Sequence, residues 1–209
     1  MCSVSPMKIA QALFKRGADA NAQDENGQTP LHLVSEQGYS NATQLLLDHG
    51  ADMKATDKYH LTPLHLAAKK GCAKIVQPVG RSADINTSNK SGQTPLHQSS
   101  THEYLEVCQL LLDRGADANA RDEDNMTSLH WASQTGDLKI IQLLLSYGAD
   151  PDIHGKDEQT ALHLVLRNAR RYGYHILSNV PERQANDRIA VLHFRCLLCK
   201  SLRLFSSGV

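Results

Sequence analysis

Several things are scarce in this 209-residue chain, and each scarcity removes a class of protein. Aromatic residues make up only 5%, which suits helices packed through Leu and Ala. Lys and Arg number 22 and Asp and Glu 22, so the formal net charge is zero and no global field draws the chain to nucleic acid or an acidic membrane. No apolar run reaches the roughly 18 residues needed to span a bilayer. The N-terminal MCSVSPMKIAQALF lacks a basic region followed by an apolar core, which leads to the expectation of an intracellular protein, in cytoplasm or nucleus. The five cysteines are an odd number without a framework, which argues against a disulfide-stapled secreted domain. Cys108 stands where sister segments carry Val76 or Ile141 and reads as a small buried hydrophobe. There is no phosphate-cradling Gly-rich loop and no nucleophile elbow.

What the chain does have is self-similarity. Thr29-Pro30-Leu31-His32 returns at Thr62-Pro63-Leu64-His65, Thr94-Pro95-Leu96-His97, Thr127-Ser128-Leu129-His130 and Thr160-Ala161-Leu162-His163, at intervals of 33, 32, 33 and 33. Gly-Ala-Asp keeps the same interval at Gly17, Gly50, Gly115 and Gly148, with Ser82-Ala83-Asp84 in the remaining slot. Two landmarks sharing one period signal a repeat array in which no unit buries its own core.

Each motif residue has a physical task. Thr begins a helix, its hydroxyl able to accept from an unpaired first-turn N–H, and Pro follows where no N–H is needed. Leu at the third position, with Leu33-Val34 or Leu66-Ala67-Ala68, returns at helical spacing and makes a buried face. Gly38, Gly71 and Gly136 end this first helix. Ala42 and Leu45-Leu46-Leu47, or Ile140-Ile141 and Leu143-Leu144-Leu145, form a second helix stopped by Gly50 or Gly148 in a left-handed cap. The run Asp24-Glu25-Asn26-Gly27 is a turn.

A unit of helix, turn, helix and hairpin-like turn marked by TPLH and GAD resembles the ankyrin repeat over roughly residues 7 to 170. The resemblance implies an all-α solenoid of stacked helix-turn-helix units. The array is expected over 1–180, with a half-repeat at 7–21, repeats starting near 24, 57, 89 and 122, and a degenerate repeat at 155–180. Residues 181–209 are apolar, with Arg188, Arg195 and Arg203 at intervals of seven or eight, and are expected to form a C-terminal helical cap or extension.

Two irregularities stand out. Pro78 and Gly80 fall where sister second helices carry Leu-Leu, and that repeat is one residue short. Proline in a helix loses one backbone bond and collides with the carbonyl four residues back, here Lys74, so this helix is expected to be shortened or kinked. Glu103 occupies a glycine slot.

Eleven histidines invite a catalytic or metal reading. Five of them, His32, His65, His97, His130 and His163, are the fourth residue of the motif, and chemistry needed once is not repeated five times. The resemblance implies that this histidine bonds to backbone and to the motif threonine, helping one unit hold the next. Asp19, Asp52, Asp84, Asp117 and Asp150 are likewise periodic turn residues. His193-x-x-Cys196-x-x-Cys199 falls short of a closed four-ligand zinc site. No catalytic residue, cofactor or metal is expected.

What remains is a surface. The resemblance implies that a protein partner meets the concave side, built from turn tips and the exposed residues of first helices. At those positions stand Lys58, Tyr59, His60, Leu61, Lys69, Lys70 and Lys90, then Glu123, Asp124 and Met126. An aromatic and a leucine among lysines make the strongest contact candidate. The expectation is a monomeric, non-catalytic scaffold binding a protein of unknown identity, with no nucleic acid and no membrane span. Two alternatives are a regulatory or targeting fragment of a larger enzyme or channel, and a ubiquitin-ligase adaptor acting through the tail. The latter kind of ankyrin protein carries a helical box followed by a Leu-Pro motif, and the Leu-Pro part has no match here.

Overall fold

The computed structural model describes residues 6–80 and 83–169. Ten α-helices follow one another there: α1 (Pro6–Lys15), α2 (Pro30–Gln37), α3 (Ser40–Asp48), α4 (Pro63–Lys70), α5 (Ala73–Val79), α6 (Pro95–Thr101), α7 (Leu105–Leu112), α8 (Ser128–Thr135), α9 (Leu138–Ser146) and α10 (Ala161–Ala169). No strand occurs among the described residues, so the architecture is an all-α solenoid.

The helices begin and end as their local chemistry dictates. Thr29, Thr62, Thr94 and Thr127 precede α2, α4, α6 and α8 in extended conformation, and Pro30, Pro63 and Pro95 fill the first helical position, where a missing N–H costs nothing. Gly38, Gly71 and Gly136 close the first helices with φ of 80°, 73° and 85°, a left-handed stop that frees the chain to turn back. In the third repeat Glu103 takes that conformation itself, at φ 63°, and α6 ends at Thr101.

First helices α2, α4, α6, α8 and α10 stack directly on one another, while second helices α3, α5, α7 and α9 form an outer layer with sparser mutual contact. The apolar core lies between the layers in two unequal parts. A large cluster runs from Leu64 through Ile75, Leu96, Leu111, Leu129 and Leu144 to Ala161. A small one, Ala20, Leu31, Leu46 and Ala51, serves the N-terminal end. There α1 is the first described helix and matches the second helix of a repeat, and its Ile9 and Leu13 are exposed. Phe14 ties it down by stacking on His49 at 4.2 Å.

The helix carrying Pro78 is short, as its sequence requires. It spans seven residues against nine in α3 and α9, and it ends at Gly80 in right-handed conformation, φ −70°. The neighbouring repeat supplies what the truncation leaves open. Arg114 donates to the carbonyls of Val76 and Gln77 at 3.4 and 3.2 Å, a cation on the helix's negative end. The C-terminal cap or extension expected over 181–209, the remainder of 155–180 beyond 169, and the His193/Cys196/Cys199 cluster lie outside the described residues.

Candidate interaction surface

Before a residue can be assigned to a surface, the stack's own needs must be subtracted. The motif histidines are wholly absorbed by them. Nδ1 of His32, His65, His97 and His130 accepts from the backbone N–H of Thr29, Thr62, Thr94 and Thr127 at 3.0–3.2 Å and meets the same threonine's hydroxyl at 2.8–2.9 Å. Nδ1 is therefore the acceptor, and the proton sits on Nε2. From there it is donated to the next repeat: to Leu61, Gln93, Met126 and Gln159 carbonyls at 3.0, 3.0, 3.1 and 3.2 Å. Burial pushes all four imidazoles below their ordinary value, His65 to about 4, so each is neutral at pH 7.

The motif acids are turn clamps. Oδ1 of Asp24, Asp57 and Asp122, and of Asn89 in the third repeat, accepts two backbone N–H groups across its own turn. Each tip is then tied to its neighbour: Lys58 N–H donates to Asn26 O at 2.9 Å, Lys90 N–H to Tyr59 O at 3.0 Å and Glu123 N–H to Ser91 O at 3.1 Å. The approach is close enough that Gly92, at φ 73°, admits no side chain, since a Cβ there would lie 2.8 Å from Glu123 N. The turn tips are thus a fixed row.

Side chains left over on this row are the surface proper. Lys58, Tyr59, His60, Lys69, Lys70, Lys90, Glu123 and Asp124 are all exposed. Lys58 reaches the Asn26 side-chain oxygen of the preceding tip and lies 5.1 Å from the Tyr59 ring centroid, a cation over an aromatic face. Tyr59 is 55% exposed. His60 holds φ 58° where Gly27 and Gly92 stand in sister turns, keeping a side chain at a position that favours glycine. The stem of Lys70 passes 3.6 Å from the position a Cβ on Gly38 would take, so it leans over the end of α2. Asp124 pairs with Lys156 at 3.1 Å, both exposed, a contact that fixes little.

Two sequence-predicted members sit differently. Leu61 is half-buried and its carbonyl serves His32. Met126 is corrected outright: it is buried, its sulfur lies against Gly155, and its carbonyl receives His97. An unbranched thioether fills the gap between turns, so its side chain is not part of the exposed row.

Sequence reasoning missed two periodic sets. Asn21, Asn86 and Asn119 each donate to the carbonyl of a Gly-Ala-Asp glycine (Gly50, Gly115, Gly148) and accept from the N–H of its aspartate (Asp52, Asp117, Asp150). Lys54 and Asp152 occupy this slot in the other two turns. The residue before the Gly-Ala-Asp glycine reaches back to the preceding second helix: His49 onto Phe14, Arg114 onto the end of α5, and Tyr147 onto Asp113 and Gln109. The same 33-residue ruler that located TPLH would have found both sets.

Among the described residues no group of three or more His, Cys, Asp or Glu is placed to hold a metal ion, and no helix is long and apolar enough to cross a membrane. Comparison with curated proteins finds no match. A family model described as ankyrin repeats (3 copies) matches residues 2–89 and 79–157, a stretch that includes the interlocking Thr-His pairs and clamped turns from α2 to α9. Ankyrin repeats are in general protein-interaction modules and typically carry no catalysis of their own. The chain belongs to the ankyrin repeat family.

Proposed function

We propose that this chain is a non-catalytic scaffold that binds a partner protein through the surface made by its turn tips and first-helix ends. The observation that carries the reading is the division of labour among its polar residues. The motif histidines and turn aspartates are consumed in holding the repeats together, whereas Lys58, Tyr59, Lys69, Lys70 and Lys90 stand exposed on a rigid backbone. A preorganised row of this kind loses little conformational entropy on binding. Tyr59 supplies an amphipathic anchor of the type that dominates interface energetics.

The test is a pull-down from cell lysate with the whole chain beside a variant carrying Lys58→Ser, Tyr59→Ser, Lys69→Ser and Lys70→Ser, both first shown equally helical by circular dichroism. Leu61 is left intact because of its half-buried position. A protein captured by the parent and lost by the variant is the expected outcome. If both chains capture the same proteins, the surface assignment fails.

A further inference from the structure

We propose that the segment of partner bound at this surface is an acidic, extended peptide, lying across the tips of the second and third repeats and over the end of α4. The inference deepens the reading above and rests on it.

Four exposed lysines stand on these elements. Lys58 and Lys90 occupy the same position of consecutive turns, joined by the Lys90 N–H to Tyr59 O bond, and Lys69 and Lys70 end α4. None of Lys69, Lys70 and Lys90 closes an ion pair with a described residue. The sister positions show that the stack does not require these charges. The slot of Lys58 and Lys90 holds Glu25 in the first repeat and Glu123 in the fourth, and that of Lys69 holds Glu36, Thr101 and Gln134 in the first, third and fourth, while the fifth carries Lys156 and Arg167 in these slots. Cations suit the last turn of a helix, yet α2, α6 and α8 end without any.

Carboxylates are a better match than phosphates for two reasons. The cluster contains only lysine and no arginine, so it offers mobile point charges and not the planar forks that grip phosphate bidentately. It is also fenced. Glu25 and Glu36 stand on the first-repeat side and Glu123 on the fourth-repeat side, all exposed, so a polyphosphate backbone continuing along the stack would meet like charge before it reached the Asp124–Lys156 pair. A short run of Asp or Glu fits between the fences. Tyr59, between Lys58 and the His60 that keeps its side chain at φ 58°, gives such a segment one apolar contact.

The experiment is fluorescence anisotropy with three labelled probes: a 12-residue peptide of Glu, Asp and Leu, the same peptide with Lys for each acid, and a single-stranded oligonucleotide of equal length. The acidic peptide should bind, weaken as salt is raised, and lose about tenfold in affinity, or about 1.4 kcal/mol, in Lys69→Glu/Lys70→Glu. A Lys139→Glu control on the exposed outer face of α9 should leave it unchanged. Absent binding of the acidic peptide, equal binding by the charge-reversed variant, or an oligonucleotide that binds at least as well each overturns the inference. A partner protein lost on Tyr59→Ser but indifferent to Lys69→Glu/Lys70→Glu would sink the charge argument and leave the scaffold reading standing; a whole chain that captures no protein at all would sink both.

Discussion

The second and fourth repeats share one frame and treat it differently. In the fourth, Asn119 staples the entering turn to Gly148 and Asp150, Asp122 Oδ2 accepts from the Trp131 indole N–H at 3.0 Å, and α9 runs nine residues before stopping at Gly148. In the second, Lys54 stands in the asparagine slot. Asp57 Oδ2 is buried without a partner because Leu66 occupies the tryptophan position. Pro78 cuts α5 to seven residues. A repeat array tolerates this because each unit leans only on its neighbours, and two sound neighbours can hold a poor one. The difference teaches where to look for function: the repeat that has given up most of the shared devices is also the one that gathers the lysines.

The largest effect with which to test that contrast is acidification. The four buried histidines are held below their unfolded value near 6.5 by desolvation, His65 at about 4. Below 6.5 the unfolded chain binds more protons than the folded one, so their contribution is present above pH 6.5 and is lost as pH falls through the folded values, for His65 toward about 4. For His65 alone that is on the order of 3 kcal/mol. Urea midpoints should drop steeply between pH 7.5 and 4.5. His65→Asn should flatten that slope more than His130→Asn, because α6 and α7 complete the next repeat beyond His65 whereas α10 is the only described α-helix of the next repeat beyond His130. Equal slopes would mean that the second repeat opens before its histidine is titrated.

A middle effect concerns the truncated helix. Arg114→Ala takes the guanidinium from the Gln77 carbonyl and leaves the Val76 carbonyl only its bond from Gly80 N–H at 2.9 Å, and should cost about 1 kcal/mol, read as a lower thermal midpoint. Pro78→Leu returns an N–H to the Lys74 carbonyl and should gain a similar amount. If Pro78→Leu also makes Arg114→Ala harmless, the arginine is compensation for the proline; additive effects would show two independent contributions.

The smallest expected effect is the missing staple. Lys54→Asn should raise the denaturation midpoint by about 0.5 kcal/mol and Asn119→Lys should lower it by about 1 kcal/mol. A Lys54→Asn variant no more stable than the parent would show that the second repeat, one residue short, cannot receive the bond.

Much of this was readable in advance because it depends on neighbours in the chain. The period, the Thr-Pro helix starts, the glycine stops, the shortened α5 and the structural role of the histidines all follow from residues a few positions apart or from their recurrence. Glu103 was legible as an intruder in a glycine slot, but not how the chain accommodates it, by ending α6 early and turning through φ 63°. Met126 was misplaced for a related reason. A turn-tip position is exposed in general, and only the seating of Gly155 against its sulfur buries it.

By itself, then, the sequence determined the helical unit, its starts and stops and the irregular second repeat, since local propensity and periodicity act within one turn of helix or one repeat. The stacked structure alone decided which polar groups are spent and which are offered. Arg114 on the end of α5, Asn21 on Gly50, Tyr147 on Asp113 and His32 on Leu61 link residues 29 to 38 positions apart, and such bonds exist only once one repeat has been laid on the next.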